Sequence, residues 1–250
     1  MGSNWLAPPK APAMTHRLAL LLASGLLLGN PGLTAGESAT VQEILDGNQL
    51  YIDGAQAKLK QAAQAPQVIS TGDSRGQLGF ESGAVGRINR QSLLRLGSSC
   101  FLLNKGQILV SGKQDGCTRS SRMSVRGTNY VLQVDESGSA ELSVLEGSVQ
   151  VEPTEGKAAP VTVQAGQRLR LSATGLMLSL LKLSLADYQS ILDGPLFRGY
   201  SGRLPGFADL ESYLHLNVPG VNLPGANLPS IPSPVTPSLP VRSLPIPRFF

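Results

Sequence analysis

The sequence predicts an all-β protein, an antiparallel sandwich or rolled sheet of stacked hairpins, followed by short C-terminal helices and a proline-rich tail. Three observations predict it. Residues 123–151 alternate apolar and polar positions through Tyr130, Leu132 and Val134, and again through Leu142, Val144, Val149 and Val151, the period of strands buried on one face. From Gln67 onward turn residues recur about every eight to twelve positions, the spacing of a sandwich. Finally, 28 glycines and 18 prolines against 5% aromatic residues suit short strands joined by many turns and disfavour a helical bundle.

Residues 1–36 read as a signal peptide. The apolar core, Leu18 to Leu28, is interrupted by Gly25 and ends at Gly29-Asn30-Pro31-Gly32. A membrane span needs about 20 apolar residues, so this stretch suits a leader better. His16 and Arg17 supply the polar flank, Thr34-Ala35-Gly36 the small residues near a cleavage site, and Met14 opens an equally complete leader. Cleavage and retention as an N-terminal anchor both stay open.

Residues 37–65 read as an N-terminal hairpin and connector. Val41 to Leu45 and Leu50 to Ile52 flank Asp46-Gly47-Asn48, residues that tolerate the positive φ of a tight turn. Lys58 to Ala65 continues as strand or connector.

The β-domain proper is expected over residues 66–172. Three segments share an apolar-turn-Gly-apolar pattern: residues 80–85 around Gly83, 103–108 around Gly106 and 145–149 around Gly147. Each glycine is read as a backbone position with φ > 0. Phe101-Leu102-Leu103, turn Asn104-Lys105-Gly106 and Gln107 to Val110 form a predicted hairpin. Its register places Cys100 opposite Leu109 or Val110, so a bridge from Cys100 to Cys117 would tie that strand to the loop at residues 112–116. These are the only two cysteines. In an exported chain they are expected to form a structural disulfide, worth ~3 kcal/mol in the chain-entropy picture. Without a partner histidine they make a poor zinc site, and no metal or other cofactor is expected.

The segments Val125-Arg126-Gly127-Thr128-Asn129-Tyr130-Val131, Val144-Leu145-Glu146-Gly147-Ser148-Val149 and Val163-Gln164-Ala165-Gly166-Gln167 resemble the FecR domain, a module of bacterial cell-envelope proteins. The resemblance covers residues 67–171 and includes the turns at Gly127-Thr128 and Glu146-Gly147. It implies a β-rich periplasmic domain. The family is best known for membrane-spanning transducers that control a sigma factor in response to an outer-membrane receptor. This chain departs from that layout, because at most seventeen residues precede its hydrophobic core. The resemblance therefore implies a stand-alone exported FecR-like domain, similar to small FecR-domain proteins of cyanobacteria.

Residues 173–216 are leucine-rich and predict short helices, one capped by Ser184 and ending before Gly194-Pro195, another over residues 207–216. From Asn217 to Phe250 the proline density favours an extended, poorly packed arm.

Composition narrows the function. One of two histidines lies in the leader and the other, His215, falls on a predicted helix flank, which argues against His-dependent triads and His-rich metal sites. There is no P-loop or Rossmann glycine fingerprint, and Asp135-Glu136 lies in a polar turn. No catalytic residue is assigned.

The overall +4 charge is uneven: between Ser82 and Val134, Arg87, Arg90, Arg95, Lys105, Lys113, Arg119, Arg122 and Arg126 face the single acid Asp115. A concentrated basic field attracts polyanions. Arg87, Arg90, Arg95, Arg119, Arg122 and Arg126 are therefore the candidate binding face, although solvated outer-face arginines would read the same way. With no aromatic stacking platform, nucleic acid is not the expected partner.

The expectation is a non-catalytic binding or scaffold module of the periplasm or cell surface, engaging anionic polysaccharide or an envelope protein. Membrane contact would come only through a retained leader. A signalling component related to sigma-factor control of iron uptake and an envelope-glycan enzyme are the alternatives. Oligomeric state stays open, since exposed sheet edges could support self-association.

Overall fold

The computed structural model describes residues 36–154 and 159–224. The signal-peptide reading of 1–36, Gly36 apart, and the tail from 225 onward lie outside the described residues. Among the described residues, seventeen strands and two helices follow one another. They are β1 (Ser38–Leu45), β2 (Leu50–Ile52), β3 (Ala55–Gln56), β4 (Ala62–Gln64), β5 (Val68–Thr71), β6 (Arg75–Phe80), β7 (Val85–Ile88), β8 (Leu93–Leu96), β9 (Phe101–Gly112) and β10 (Gly116–Cys117). Then come β11 (Ser121–Val125), β12 (Thr128–Val134), β13 (Ala140–Glu146), β14 (Ser148–Pro153), β15 (Val161–Gln164), β16 (Gln167–Leu171), β17 (Met177–Lys182), α1 (Leu185–Leu192) and α2 (Phe207–Asn217).

These strands form two layers. Sheet A runs β4-β1-β6-β7-β9-β12-β13-β16-β17, and sheet B runs β3-β2-β5-β8-β9-β10-β11-β14-β15. All pairings are antiparallel except β9 with β10. The all-β expectation stands.

Strand β9 belongs to both sheets. Residues 101–105 pair with β8, and Gly106 to Gly112 pair with β12. The hairpin expected at Asn104-Lys105-Gly106 is therefore a continuous twelve-residue strand. Gly106 supplies a bend and not a reversal: its φ is 94°, and a Cβ there would sit 2.5 Å from Ser92 Cα. The disulfide Cys100–Cys117 is present, with Cα atoms 6.0 Å apart. It links the start of β9 to the neighbouring parallel strand β10, so the bridge lies within a sheet and does not fasten a loop.

The Asp46-Gly47 turn has the expected positive φ values but carries the chain from sheet A to sheet B, so β1 and β2 do not form a hairpin. Residues 37–65 are woven into both sheets through β1–β6 and β2–β5. Downstream, hairpins alternate between layers: β10–β11 in B, β12–β13 in A, β14–β15 in B and β16–β17 in A. Gly127, Gly147 and Gly166 mark the crossings. The Ala165 amide donates to the Gly147 carbonyl (2.9 Å), and a Cβ on Gly147 would lie 2.6 Å from the Gly127 carbonyl oxygen. The three arches are therefore stacked, and a side chain at Gly147 would push two of them apart.

One core lies between the sheets, built on Leu50, Ile69, Leu78, Ile108, Tyr130 and Leu142. A second lies on the outer face of sheet A, where Leu109, Val131 and Leu145 meet Tyr188, Leu192 and Leu210 of the C-terminal segment. Burying each such side chain contributes roughly 1.5–3 kcal/mol.

Residues 173–216 are not helical throughout. Met177–Lys182 forms β17, because β16 offers a free edge and a six-residue stretch pairs more readily than it nucleates a helix. Helix α1 starts at the expected cap, Ser184, with a reciprocal capping box between Ser184 and Asp187. The start of the expected arm is also packed: Asn217 ends α2, and Val221 and Leu223 are buried in the second core.

Candidate functional site

Alternation along the strands of sheet B decides what reaches its outer surface. Met123, Val125, Val149, Val151 and Val163 point inward and are buried. Their neighbours therefore point out. Strand register aligns Val68, Arg95, Leu102, Cys117, Arg122 and Glu152 in one row across six strands. A second row aligns Ser124, Gln150 and Thr162. Beside it an open trough of about 560 Å³ is lined by Lys113, Asp115, Ser124, Arg126, Gln150 and Gln164 among others.

Charge on this face is partly paired. Arg122 meets Asp115 at 3.0 Å and donates to Ser99 Oγ at 2.9 Å, while the other Asp115 oxygen accepts from the Val125 amide at 2.9 Å. Arg95, Lys113, Arg119 and Arg126 are exposed and make no ion pair among the described residues. Asp53 lies near Arg95. Its carboxyl is held below the usual range by hydrogen bonds from the Val68 amide and Gln67, with Arg95 adding to the effect.

Two of the six arginines do not belong to this face. Arg87 lies on β7 of sheet A and is only 5% exposed. Its Nε donates to Gln77 Oε1 (3.0 Å), Nη1 to the Leu196 carbonyl (3.2 Å) and Nη2 to the Gly202 carbonyl (2.7 Å). The guanidinium also stacks 4.3 Å from the Tyr200 ring centre. Burial pulls its pKa down to about 10. Arg90 lies in the loop after β7 and pairs with Asp46 at 2.6 Å. Asp46 also binds Arg75, which in turn donates to the Pro195 and Arg198 carbonyls and lies 5.4 Å from Tyr200. Arg75, Arg87 and Tyr200 thus clamp the segment after α1 onto sheet A. Sequence reasoning missed this clamp because its partners lie more than 100 residues apart.

The motif residues come together at the arches. Thr128 Oγ1 donates to the Ser148 carbonyl (3.1 Å), joining the Gly127 crossing to the Gly147 crossing. Glu146 accepts from Asn129 Nδ2 (3.0 Å), which also donates to the Gly206 carbonyl at the start of α2 (2.9 Å). Burial pushes the Glu146 carboxyl up. Their contacts are with backbone and with each other, so the role they show is architectural.

No family model matches the chain, and no curated protein matches it. Among solved structures it is similar to two crystal structures of a protein described as a "putative anti-sigma factor" from Parabacteroides distasonis. Each shows 18% identity and a TM-score of 0.40 over 47% of this chain. The chain spans 60% of the length of those proteins.

Among the described residues, no group of three His, Cys, Asp or Glu is placed to hold a metal ion, and no helix is long and apolar enough to cross a membrane. His215 is exposed on α2, and Asp135 sits in a turn where Ser137 and the Ser139 amide hold its carboxyl below the usual range. What the sheet B surface offers chemically is a polar floor of hydroxyls and amides bordered by unpaired cations. That combination can recognise anionic groups by hydrogen bonding and charge.

Proposed function

We propose that this chain is a non-catalytic binding or scaffold module of the bacterial cell envelope, built on a FecR-like β-domain. Its working surface is the outer face of sheet B, and its ligand is an anionic polysaccharide or an acidic envelope protein. One observation carries the reading. The outer face of sheet A is covered by the C-terminal segment, whereas among the described residues that of sheet B carries no such cover and presents exposed Arg95 and a polar trough lined by Lys113 and Arg126. The disulfide supports an exported location, because such bonds persist in oxidising compartments.

Heparin-agarose provides the test. Replacing Arg95, Lys113 and Arg126 with Ser touches no paired charge and no core residue. The expected result is retention of the parent protein and at least tenfold weaker binding by the triple variant, with unchanged thermal stability. Equal retention of the two proteins, or no retention of the parent on heparin or on an acidic envelope polysaccharide, would remove the reading.

A further inference from the structure

We propose that two copies of this chain pair edge to edge through β17, continuing sheet A across a two-fold axis. The sandwich has four lateral edges, and three are protected. At one end β4 has three residues and β3 two, while at the other end β15 has four and follows Pro160. Short edges and flanking prolines are the usual means of blocking strand addition. Strand β17 has neither: six residues, no proline, and no charge before Lys182 at its end.

The side chains agree. Eight large apolar residues are exposed among the described residues, and six of them, Leu176, Met177, Leu178, Leu180, Leu181 and Leu185, cluster at this strand. Met177 and Leu180 pair with Leu171 and Leu169, both buried between the sheets, so they point toward the sheet B side. They are nevertheless 49% and 37% exposed, because sheet A extends one strand beyond the cover of sheet B. An apolar slot of about 380 Å³, lined by Val151, Val161, Leu169, Leu171, Leu176 and Met177, opens beside them.

A second copy fits this edge better than the chain's own C-terminal residues 225–250. That segment has prolines at 229, 232, 234, 237, 240, 245 and 247, which remove the amide donors a ladder needs. An identical β17 in antiparallel orientation supplies every donor and acceptor, sets leucine against leucine and keeps the two Lys182 ammonium groups at opposite ends. The exposed apolar side chains amount to on the order of 500 Å² per copy, so with the backbone a dimer approaches the ~1,200 Å² at which stable interfaces begin. Isologous pairing of this kind closes at two copies.

Sedimentation equilibrium of the full chain between ~1 and ~100 µM is the test, together with hydrogen exchange of the β17 amides. A dimer is expected, with exchange at β17 slowing as concentration rises. The double substitution Leu178→Lys and Leu181→Lys, at side chains already in solvent, should weaken dimerisation at least a hundredfold without lowering Tm. Leu59→Lys, an exposed leucine between β3 and β4, should leave it unchanged. A monomer at every concentration would overturn the proposal, and protected β17 amides in that monomer would assign the edge to residues 225–250. A dimer that survives the double substitution would overturn it equally.

Discussion

On the outer face of sheet A, Val85, Leu109, Val131 and Leu145 point at the C-terminal segment and are buried. On the outer face of sheet B, Arg95, Arg122, Ser124, Gln150 and Thr162 point at solvent. The two sheets share β9 and the same inner core, so what separates them is what their strands carry at alternate positions. Sheet A is the middle of three layers, and where the second core covers it its strands are apolar on both faces. In β12 and in the second half of β9, Tyr130-Val131-Leu132 and Ile108-Leu109-Val110 are unbroken apolar runs, the pattern of strands with no solvated side. Strands β11 and β14 alternate strictly. The outer face of sheet A therefore serves to hold the helices, whereas that of sheet B is polar.

Paired substitutions sharpen this contrast most. Leu109→Ala, in the second core at 0% exposure, should destabilise the fold by ~2–5 kcal/mol in urea unfolding. Leu102→Ala, half-buried on the outer face of sheet B, should cost ~0.5 kcal/mol. Similar losses at both positions would mean that the sheet B surface is also covered. Close behind is the disulfide. Its cysteines are seventeen residues apart, so replacing both with Ser should cost ~3 kcal/mol, and reductant should reproduce the loss in the parent protein.

The arginines divide in the same way. Arg87→Ala leaves the carbonyls of Leu196 and Gly202 without their donor inside a buried contact, for a loss of ~2–4 kcal/mol. It should also release amides of residues 195–203 to faster hydrogen exchange. Arg95→Ala should stay within ~0.5 kcal/mol of the parent, because its head group is in solvent. Equal effects would erase the distinction between a clamp and a binding surface.

Part of this was legible in the sequence. Period-two alternation gave the strands of 123–151, the Ser184 cap gave α1, and glycine punctuation gave the turns at Gly127 and Gly147. What those glycines do was harder to read. A positive-φ glycine serves a hairpin turn, an arch between layers or a bend within one strand, and only long-range pairing distinguishes Gly83 from Gly147 or Gly106. The basic cluster between 82 and 134 failed for a related reason. Successive strands there alternate between sheets, so residues close in sequence, such as Arg87 and Arg95, end on opposite outer faces. The clamp around Tyr200 had no local signal at all, since it joins two arginines of the first half to backbone carbonyls of the last quarter.

Acid should loosen the clamp. The hydrogen bond from Arg75 holds the Asp46 carboxyl below its usual pKa, assisted by the charges of Arg75 and Arg90. A carboxyl that is more acidic folded than unfolded contributes its full stability above the unfolded value and loses it as pH falls through the folded one, so the window lies below about pH 4. Asp46 is partly solvated, which limits the contribution to under ~1 kcal/mol. Asp46→Asn should therefore lower Tm slightly at pH 7, and the gap to the parent should close as pH approaches 3. Amides of residues 195–203 should exchange faster over the same interval in the parent protein. A gap that widens on acidification would show that Asp46 does not anchor the covered face.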